Sequence, residues 1–389
     1  MWWFVCACMV PAFAISWIVT FWMRRVAPKW GLVDQPAARK VHSTPTPLGG
    51  GIGIYVGVML PLLAGYLLIV WLSKQTQLPS WFPPISLSGV FERSGQLWAI
   101  LCAGTVLMVM GLLDDRFGLS WKGRLSVQFL LATALVSGGI RATLFVDHPA
   151  FGVVLTIVWI VVLINSLNFL DNMDGLCGGI GLVASLIFAW IMLELVGQPR
   201  WLIGGTLLIL AGSIAGFLCH NWPPAKIFMG DAGSTFIGLT LATMTVLGTF
   251  YEENVTAHHV LLAPALILAI PLYDFFTVIS IRLWNGKSPF HPDRNHFSHR
   301  LTDLGLSRKH AVLTVHLATL TTGLGAILLY HVSTWSGAML VVSLVLCLLV
   351  IVAILEQAAR IKSMKAATAA TILKNQTLEP QSDSQTAEH

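Results

Sequence analysis

The sequence predicts an all-α fold, a polytopic membrane helix bundle of about eleven transmembrane helices, with the N-terminus outside and the C-terminus cytoplasmic. Three observations predict it. The 389-residue chain is 56% hydrophobic and 11% charged, with a mean hydropathy of +0.76, whereas soluble domains carry roughly 25% charged residues. Its apolar residues gather in runs close to the ~20 residues that cross a bilayer, without the alternation of a large soluble core. Its basic residues sit on one side of those runs.

The runs cover residues 2–22, 49–72, 96–113, 125–140, 151–167, 175–197, 201–218, 233–250, 260–281, 311–331 and 335–355, the fourth and fifth being short. Residues 1–23 hold a signal-peptide-like Ala12-Phe13-Ala14, but they lack a basic start and run into Arg24-Arg25, so they read as a retained first span. Of the 23 Lys and Arg residues, all but Lys74, Arg93, Arg141 and Arg200 fall on alternate connections or the C-terminal tail. Those connections are therefore cytoplasmic. The net charge of +5 reflects this topology and anionic headgroups, so the partner is the lipid bilayer and not nucleic acid. One membrane domain covers residues 1–360, and residues 361–389 form a polar cytoplasmic tail expected to be disordered. Residues 73–95 make an outward loop, with Trp81 to Pro84 expected at the interface, and residues 282–310 make the longest inward loop between spans. No repeat of about 20–50 residues is visible. The six Cys residues lie in or near spans without metal-ligand spacing and read as small apolar residues.

Five polar clusters interrupt the apolar chain, at 34–51, 114–124, 165–174, 221–234 and 292–300, and all fall on the inward connections. They can meet at one face of the bilayer. Asp114-Asp115 directly follow an apolar run; adjacent carboxylates there are costly unless a divalent cation or a basic partner uses them, and Arg116, Lys122 and Arg124 are close by. Asn165, Asn168 and Asn172 share one helical face at i, i+3 and i+7, with Asp171 at its edge and Asp174 following. Such a stripe lines a water-filled cavity or packs between helices. Asp231 sits between glycines where a helix begins, with Ser234 three residues on, which fits either an N-cap or a metal carboxylate in a turn that a phosphate can approach. Lys226, just upstream, suits an anionic headgroup or a substrate phosphate. His291 to Arg300 carry three His and two Arg, a set that suits phosphates better than a transition metal. Arg39, Lys40 and His42 are candidates for lipid-phosphate contact in a Pro-stiffened loop, beside the simpler reading of positive-inside charge. The following glycines are no dinucleotide fingerprint, because no strand precedes them. Carboxylates of this kind beside basic groups suit Mg²⁺, which takes one or two carboxylates plus substrate phosphates. The residues point to phosphoryl transfer to or from a lipid.

The segments DQPAARKVHSTPTPLGG, GLLDDRFGLSWKGRL, NSLNFLDNMDG, NWPPAKIFMGDAGSTFIG and HFSHRL, in that order over residues 34–301, resemble those of the polyprenyl-phosphate N-acetylhexosamine-1-phosphate transferases. These belong to glycosyltransferase family 4, the superfamily that also holds the phospho-N-acetylmuramoyl-pentapeptide transferases. The resemblance implies that a UDP-sugar, most simply UDP-N-acetylglucosamine, donates its sugar 1-phosphate to undecaprenyl phosphate, with release of UMP, at the cytoplasmic face of a bacterial plasma membrane. One pyrophosphate bond is exchanged for another, so the task is positioning and charge neutralisation. The product would start a cell-envelope polysaccharide such as a lipopolysaccharide O-antigen. By position, Asp114 and Asp115 match the family's paired aspartates, base or metal groups. Asp231 matches its Mg²⁺-binding aspartate, with Asp115 the second metal candidate and Mn²⁺ an acceptable substitute. Asn165, Asn168, Asp171 and Asp174 match the segment lining the nucleotide site. His296, His299 and the following Arg300 match the histidine motif that contacts the donor phosphates. Lys122 and Lys226 join the substrate-binding set, and bundles of this kind often form homodimers. Direct attack by the lipid phosphate and a covalent aspartyl intermediate both remain open.

One departure stands out. The hexosamine branch usually shows His-x-His-His, and here the third position is Ser298, which can hydrogen-bond but carries no charge. The muramoyl-pentapeptide branch, with its three-histidine run, is the nearest alternative within the superfamily. A transporter would place ionisable groups near mid-membrane, often with a repeat; only Glu194 and Asp274 lie clearly within spans.

Overall fold

The computed structural model describes residues 1–36, 44–75, 87–142, 149–248, 258–290, 293 and 295–378, and the side chains of all of these except 87–90, 149 and 362–378. The helices are α1 (Trp2–Val26), α2 (Gly50–Leu72), α3 (Leu87–Phe117), α4 (Trp121–Ser137), α5 (Pro149–Phe169), α6 (Leu176–Trp190), α7 (Trp201–Asn221), α8 (Gly230–Leu247), α9 (Ala263–Ile267), α10 (Ala269–Trp284), α11 (Phe297–Asp303), α12 (Arg308–Leu329) and α13 (Trp335–Leu378). A two-residue antiparallel ladder, β1 (Val33–Asp34) with β2 (Thr46–Pro47), is the strand structure among the described residues. The protein is an all-α polytopic membrane protein.

Each expected span is occupied by helix. Eight helices are long and apolar enough to cross a bilayer, and α9 with α10 makes a ninth if the bent pair counts as one span. The bend of 64° falls where Pro271 has no N–H for the Ile267 carbonyl and its ring crowds that group. The two remaining expected spans are α4, of 17 residues, and α8, of 18 residues. The polar start of α8, Gly-Asp-Ala-Gly-Ser-Thr, dilutes its hydropathy because it belongs to the site. Helix α13 continues through Leu378. The interface aromatics Trp81 to Pro84, and residues 379–389 of the tail, lie outside the described residues.

Helix α7 forms the centre: 83% of its apolar window is buried, against 17% for α1. It packs on α1, α2 and α6, while α3 and α5 both pack on α8. Small residues set these approaches, as they do where lipid offers no hydrophobic drive between helices. A Cβ on Gly216 would fall 2.3 Å from the Phe13 carbonyl oxygen, so α1 and α7 touch backbone to backbone. The Ser213 hydroxyl donates across the neighbouring α2–α7 interface to the Ile54 carbonyl at 2.7 Å. The result is a rigid bundle whose polar connections are anchored at one end.

Candidate active site

Helix α8 opens where α2, α3 and the end of α5 converge. Backbone hydrogen bonds tie the starts of α2 and α8 together: Phe228 N–H donates to Pro47 O (2.9 Å), Gly50 N–H to Phe228 O (2.9 Å) and Gly51 N–H to Met229 O (3.0 Å). Helix α3 comes equally close, since a Cβ on Gly111 would lie 2.3 Å from Ala232 N. Gly230 has φ +70°, and a Cβ there would strike Asp115 Oδ2 at 2.3 Å, so both the turn and the carboxylate require glycine.

The orphan N–H groups at the start of α8 receive carboxylates from other segments. Asp231 N–H donates to Asp115 Oδ1 at 3.1 Å, and the Gly230 N–H serves Asp171. Asp231 does not cap its own helix. As the second residue of α8, it turns Oδ2 to Arg124 at 2.7 Å and Oδ1 to the Asn168 amide at 2.9 Å. The same Arg124 nitrogen donates to Asp114 Oδ2 at 2.5 Å, and Asp114 Oδ1 accepts from Leu119 N–H at 2.6 Å. The Asn168 amide also reaches Ser234 Oγ at 3.1 Å.

Arg124 thus bridges Asp114 and Asp231, while Asp115 and Asp171 accept from the backbone at the start of α8 beside them. Burial, followed by the nearby charge of Asp231, pushes Asp171 up to about 8. Asp115 Oδ2 is buried and has no hydrogen-bond partner. An excess of carboxylate with an orphaned oxygen is a donor set that suits a hard divalent cation. No group of three or more His, Cys, Asp or Glu side chains forms a ready-made metal shell among the described residues, so such a cation would draw its other ligands from substrate or water. The cavity beside these groups is lined by Asp114, Arg124, Asn168, Phe169 and Asp231 and is bounded by Trp121 and Phe290, which stack at 4.7 Å and 13°.

The other expected residues take varied places. Asn165 donates to Gln128 Oε1 at 2.6 Å, fastening α5 to α4 at the cavity wall. Asp174 accepts from Ala225 N–H at 2.9 Å and so staples the Asn-rich segment to the segment before α8. Lys226 is exposed. Lys122 is exposed too, its Nζ 5.8 Å from the Trp121 ring centroid. His296 and His299 are buried near one another, ring centroids 6.4 Å apart, and the edge-on Phe169 ring links His296 to the cavity at 5.9 Å. Arg300 is buried and pairs with Glu356 of α13 and with the Asn295 carbonyl. Ser298, fully buried, donates to Asn172 Oδ1 at 2.7 Å. Arg39, Lys40 and His42 lie outside the described residues, as do His291, Pro292 and Arg294.

Two residues named in the sequence were not among the candidate site residues. Arg124 stood near Asp114 in sequence, but nothing there showed that it reaches Asp231. Asp293 was given no role in the site either: burial would raise its pKa, yet the Arg282 guanidinium and the Asn295 donors more than offset this and hold it at about 2. Arg282 clamps it with two bonds of 3.1 Å.

Fold and site together define a polytopic membrane protein whose acidic site lies at one end of a helix bundle. The glycosyl transferase family 4 model matches residues 97–249, which carry Asp114, Asp115, Asp171 and Asp231. The chain is 30% identical over 354 residues to the probable undecaprenyl-phosphate N-acetylglucosaminyl 1-phosphate transferase of Bacillus subtilis (strain 168), covering 88% of this chain and 90% of that protein. It is 34% identical over 335 residues to the decaprenyl-phosphate N-acetylglucosaminephosphotransferase of Mycolicibacterium smegmatis (strain ATCC 700084 / mc(2)155), covering 79% and 78%. It is 31% identical over 330 residues to the undecaprenyl-phosphate alpha-N-acetylglucosaminyl 1-phosphate transferase of Escherichia coli (strain K12), covering 80% of each. The chain belongs to glycosyl transferase family 4.

Proposed function

We propose that this protein transfers N-acetylglucosamine 1-phosphate from UDP-N-acetylglucosamine to undecaprenyl phosphate, giving undecaprenyl-diphospho-N-acetylglucosamine and UMP. The observation that carries the reading is the meeting of Asp114, Asp115, Asp171 and Asp231 at the start of α8, where Arg124 bridges Asp114 and Asp231 and Asn168 holds Asp231, in a chain whose relatives bear the names given above. In the reaction a phosphate oxygen of the lipid attacks the sugar-linked phosphorus of the donor. The bond from that phosphorus to the bridging oxygen breaks, and the electron pair leaves with UMP.

The chain's own groups are placed for positioning and charge control. Arg124 supplies a cation shared by two carboxylates, ready to meet a phosphate. Asn168 orients Asp231. Asp115 and Asp231 would hold Mg²⁺, which when bound supplies charge neutralisation across the phosphates. His296 and His299 serve the donor phosphates. In this reading α4 and α8 are short spans, giving eleven in all, with the N-terminus outward and the site on the cytoplasmic face of a bacterial plasma membrane. A homodimer is compatible with the bundle.

UMP release from purified protein in detergent tests this, with undecaprenyl phosphate, Mg²⁺ and a panel of UDP-sugars. Release that needs both lipid and Mg²⁺, and is fastest with UDP-N-acetylglucosamine, is the expected result. A preference for UDP-N-acetylmuramoyl-pentapeptide would move the protein to the sister branch. No release with any donor from folded protein would refute the transferase.

A further inference from the structure

Asp274 is a fully buried carboxylate in the middle of α10. An ionisable group at such a place is costly and is retained where it is used. Its two oxygens are both engaged by the same short stretch of chain: Oδ2 lies 2.8 Å from His296 Nδ1, and Oδ1 accepts the Phe297 N–H at 2.7 Å. A carboxylate that accepts on both oxygens leaves one role for Nδ1, that of donor. Neutral His296 then carries its proton on Nδ1, and Nε2, which has no hydrogen-bond partner among the described residues, is the nitrogen left for a ligand.

The platform is rigid. Two turns along α10 from Asp274, Arg282 grips Asp293 with two bonds of 3.1 Å and the Pro289 carbonyl with one of 2.5 Å. The Arg282 guanidinium lies 4.9 Å from the Phe169 ring centroid, and that ring also meets His296 edge-on. Phe169 directly follows Asn168, whose amide holds Asp231. Asp274, His296, Phe169 and the carboxylate cluster are therefore in contiguous contact.

We infer that Asp274 is a positioning residue for the transfer: it fixes the tautomer and orientation of His296 and thereby presents Nε2 to the donor's phosphates. This rests on the transferase reading for its catalytic consequence and on geometry alone for the tautomer. The arrangement follows the general pattern in which a buried carboxylate sets the imidazole that does the work.

Two measurements test it separately. The first is ¹⁵N NMR of histidine-labelled protein in detergent, with the His296 signal identified by its loss in His296→Gln. His296 should be protonated at Nδ1 in the unmutated protein and shift toward the Nε2–H form in Asp274→Asn. An Nε2–H form in the unmutated protein overturns the inference whatever the activity. The second is a double-mutant cycle on UMP release. Asp274→Asn and His296→Gln should each lower kcat/KM for UDP-N-acetylglucosamine by ~100-fold or more, with the KM for undecaprenyl phosphate unchanged. The double variant should match His296→Gln within about threefold. Losses that multiply in the double variant, a near-normal Asp274→Asn, or a near-normal His296→Gln each overturn it. If the unmutated protein releases no UMP while the NMR result holds, the functional reading falls and the positioning contact stands.

Discussion

Replacing Arg124 with Met removes the guanidinium that bridges Asp114 and Asp231 and keeps most of its aliphatic stem. One nitrogen serves both carboxylates, at 2.5 and 2.7 Å, so the change leaves two facing carboxylates without their shared cation. Two unit charges ~4 Å apart repel by ~4 kcal/mol at an effective dielectric of ~20. The Arg124 and Asp231 side chains are 30% and 27% exposed, and solvent screening reduces the usable figure to about 1–2 kcal/mol. That energy favours any replacement cation, by roughly 5- to 30-fold in affinity. In Arg124→Met the Mg²⁺ concentration giving half-maximal UMP release should therefore fall about tenfold, while kcat drops because a cation beside the phosphates is gone. Arg124→Lys keeps the charge without the planar fork, so its Mg²⁺ shift should be smaller. Mg²⁺ titration of initial rates at saturating donor and lipid gives both quantities. An unchanged or raised Mg²⁺ requirement in Arg124→Met would refute the idea that Arg124 and the metal compete for Asp231.

Other outcomes follow from the same site. Asp231→Asn should cut kcat by ~1,000-fold, worth ~4 kcal/mol, yet leave thermal unfolding nearly unchanged, because the lost ion pair is part-exposed; near-normal turnover at saturating Mg²⁺ would remove Asp231 from the mechanism. Asp171, raised to about 8, keeps its proton in the folded state after the unfolded chain has released its own, so between roughly pH 4 and pH 8 it makes stability fall as pH rises. Thermal unfolding in chelator should show that slope, and Asp171→Asn should flatten it; an equal slope in the variant would count against the raised pKa. Ser298→Ala removes a buried hydrogen bond to Asn172, worth ~1–3 kcal/mol. The KM for the UDP-sugar should rise about tenfold and that for undecaprenyl phosphate should not, and equal shifts in both would show a general loosening instead.

The membrane bundle was legible because lipid imposes long apolar runs, and each run became a helix. The clusters around Asp114, Asn168 and Asp231 were legible as pieces, since polar groups at a bilayer edge are conspicuous. Their pairing was not. Arg124 and Asp231 are 107 residues apart, and only the packing of α3, α4 and α8 makes them neighbours. The local reading of Asp231 as a helix cap was chemically reasonable, but its carboxylate points across to another helix. Arg300 read as a phosphate-binding residue from its cluster and from the family motif, and nothing local showed that it is buried against Glu356, a partner 56 residues away. Ser298 stood out as a missing charge, and the fold uses it as a strut. Asp274 gave a signal in sequence, as an acid inside a span, without indicating which residue it serves.

The three backbone bonds that join residues 47, 50 and 51 to 228 and 229 have a consequence for how this site tolerates mutation. They involve no side-chain atom, but a Cβ on Gly50 would lie 2.8 Å from Phe228 O and one on Gly51 2.3 Å from Gly233 N, so both α2 positions of the seam require glycine. The frame that sets the spacing of the first and fourth polar clusters is in this sense fixed by two residues that admit no side chain. Variation in donor preference can then accumulate in the side chains that the frame carries while the frame keeps its dimensions.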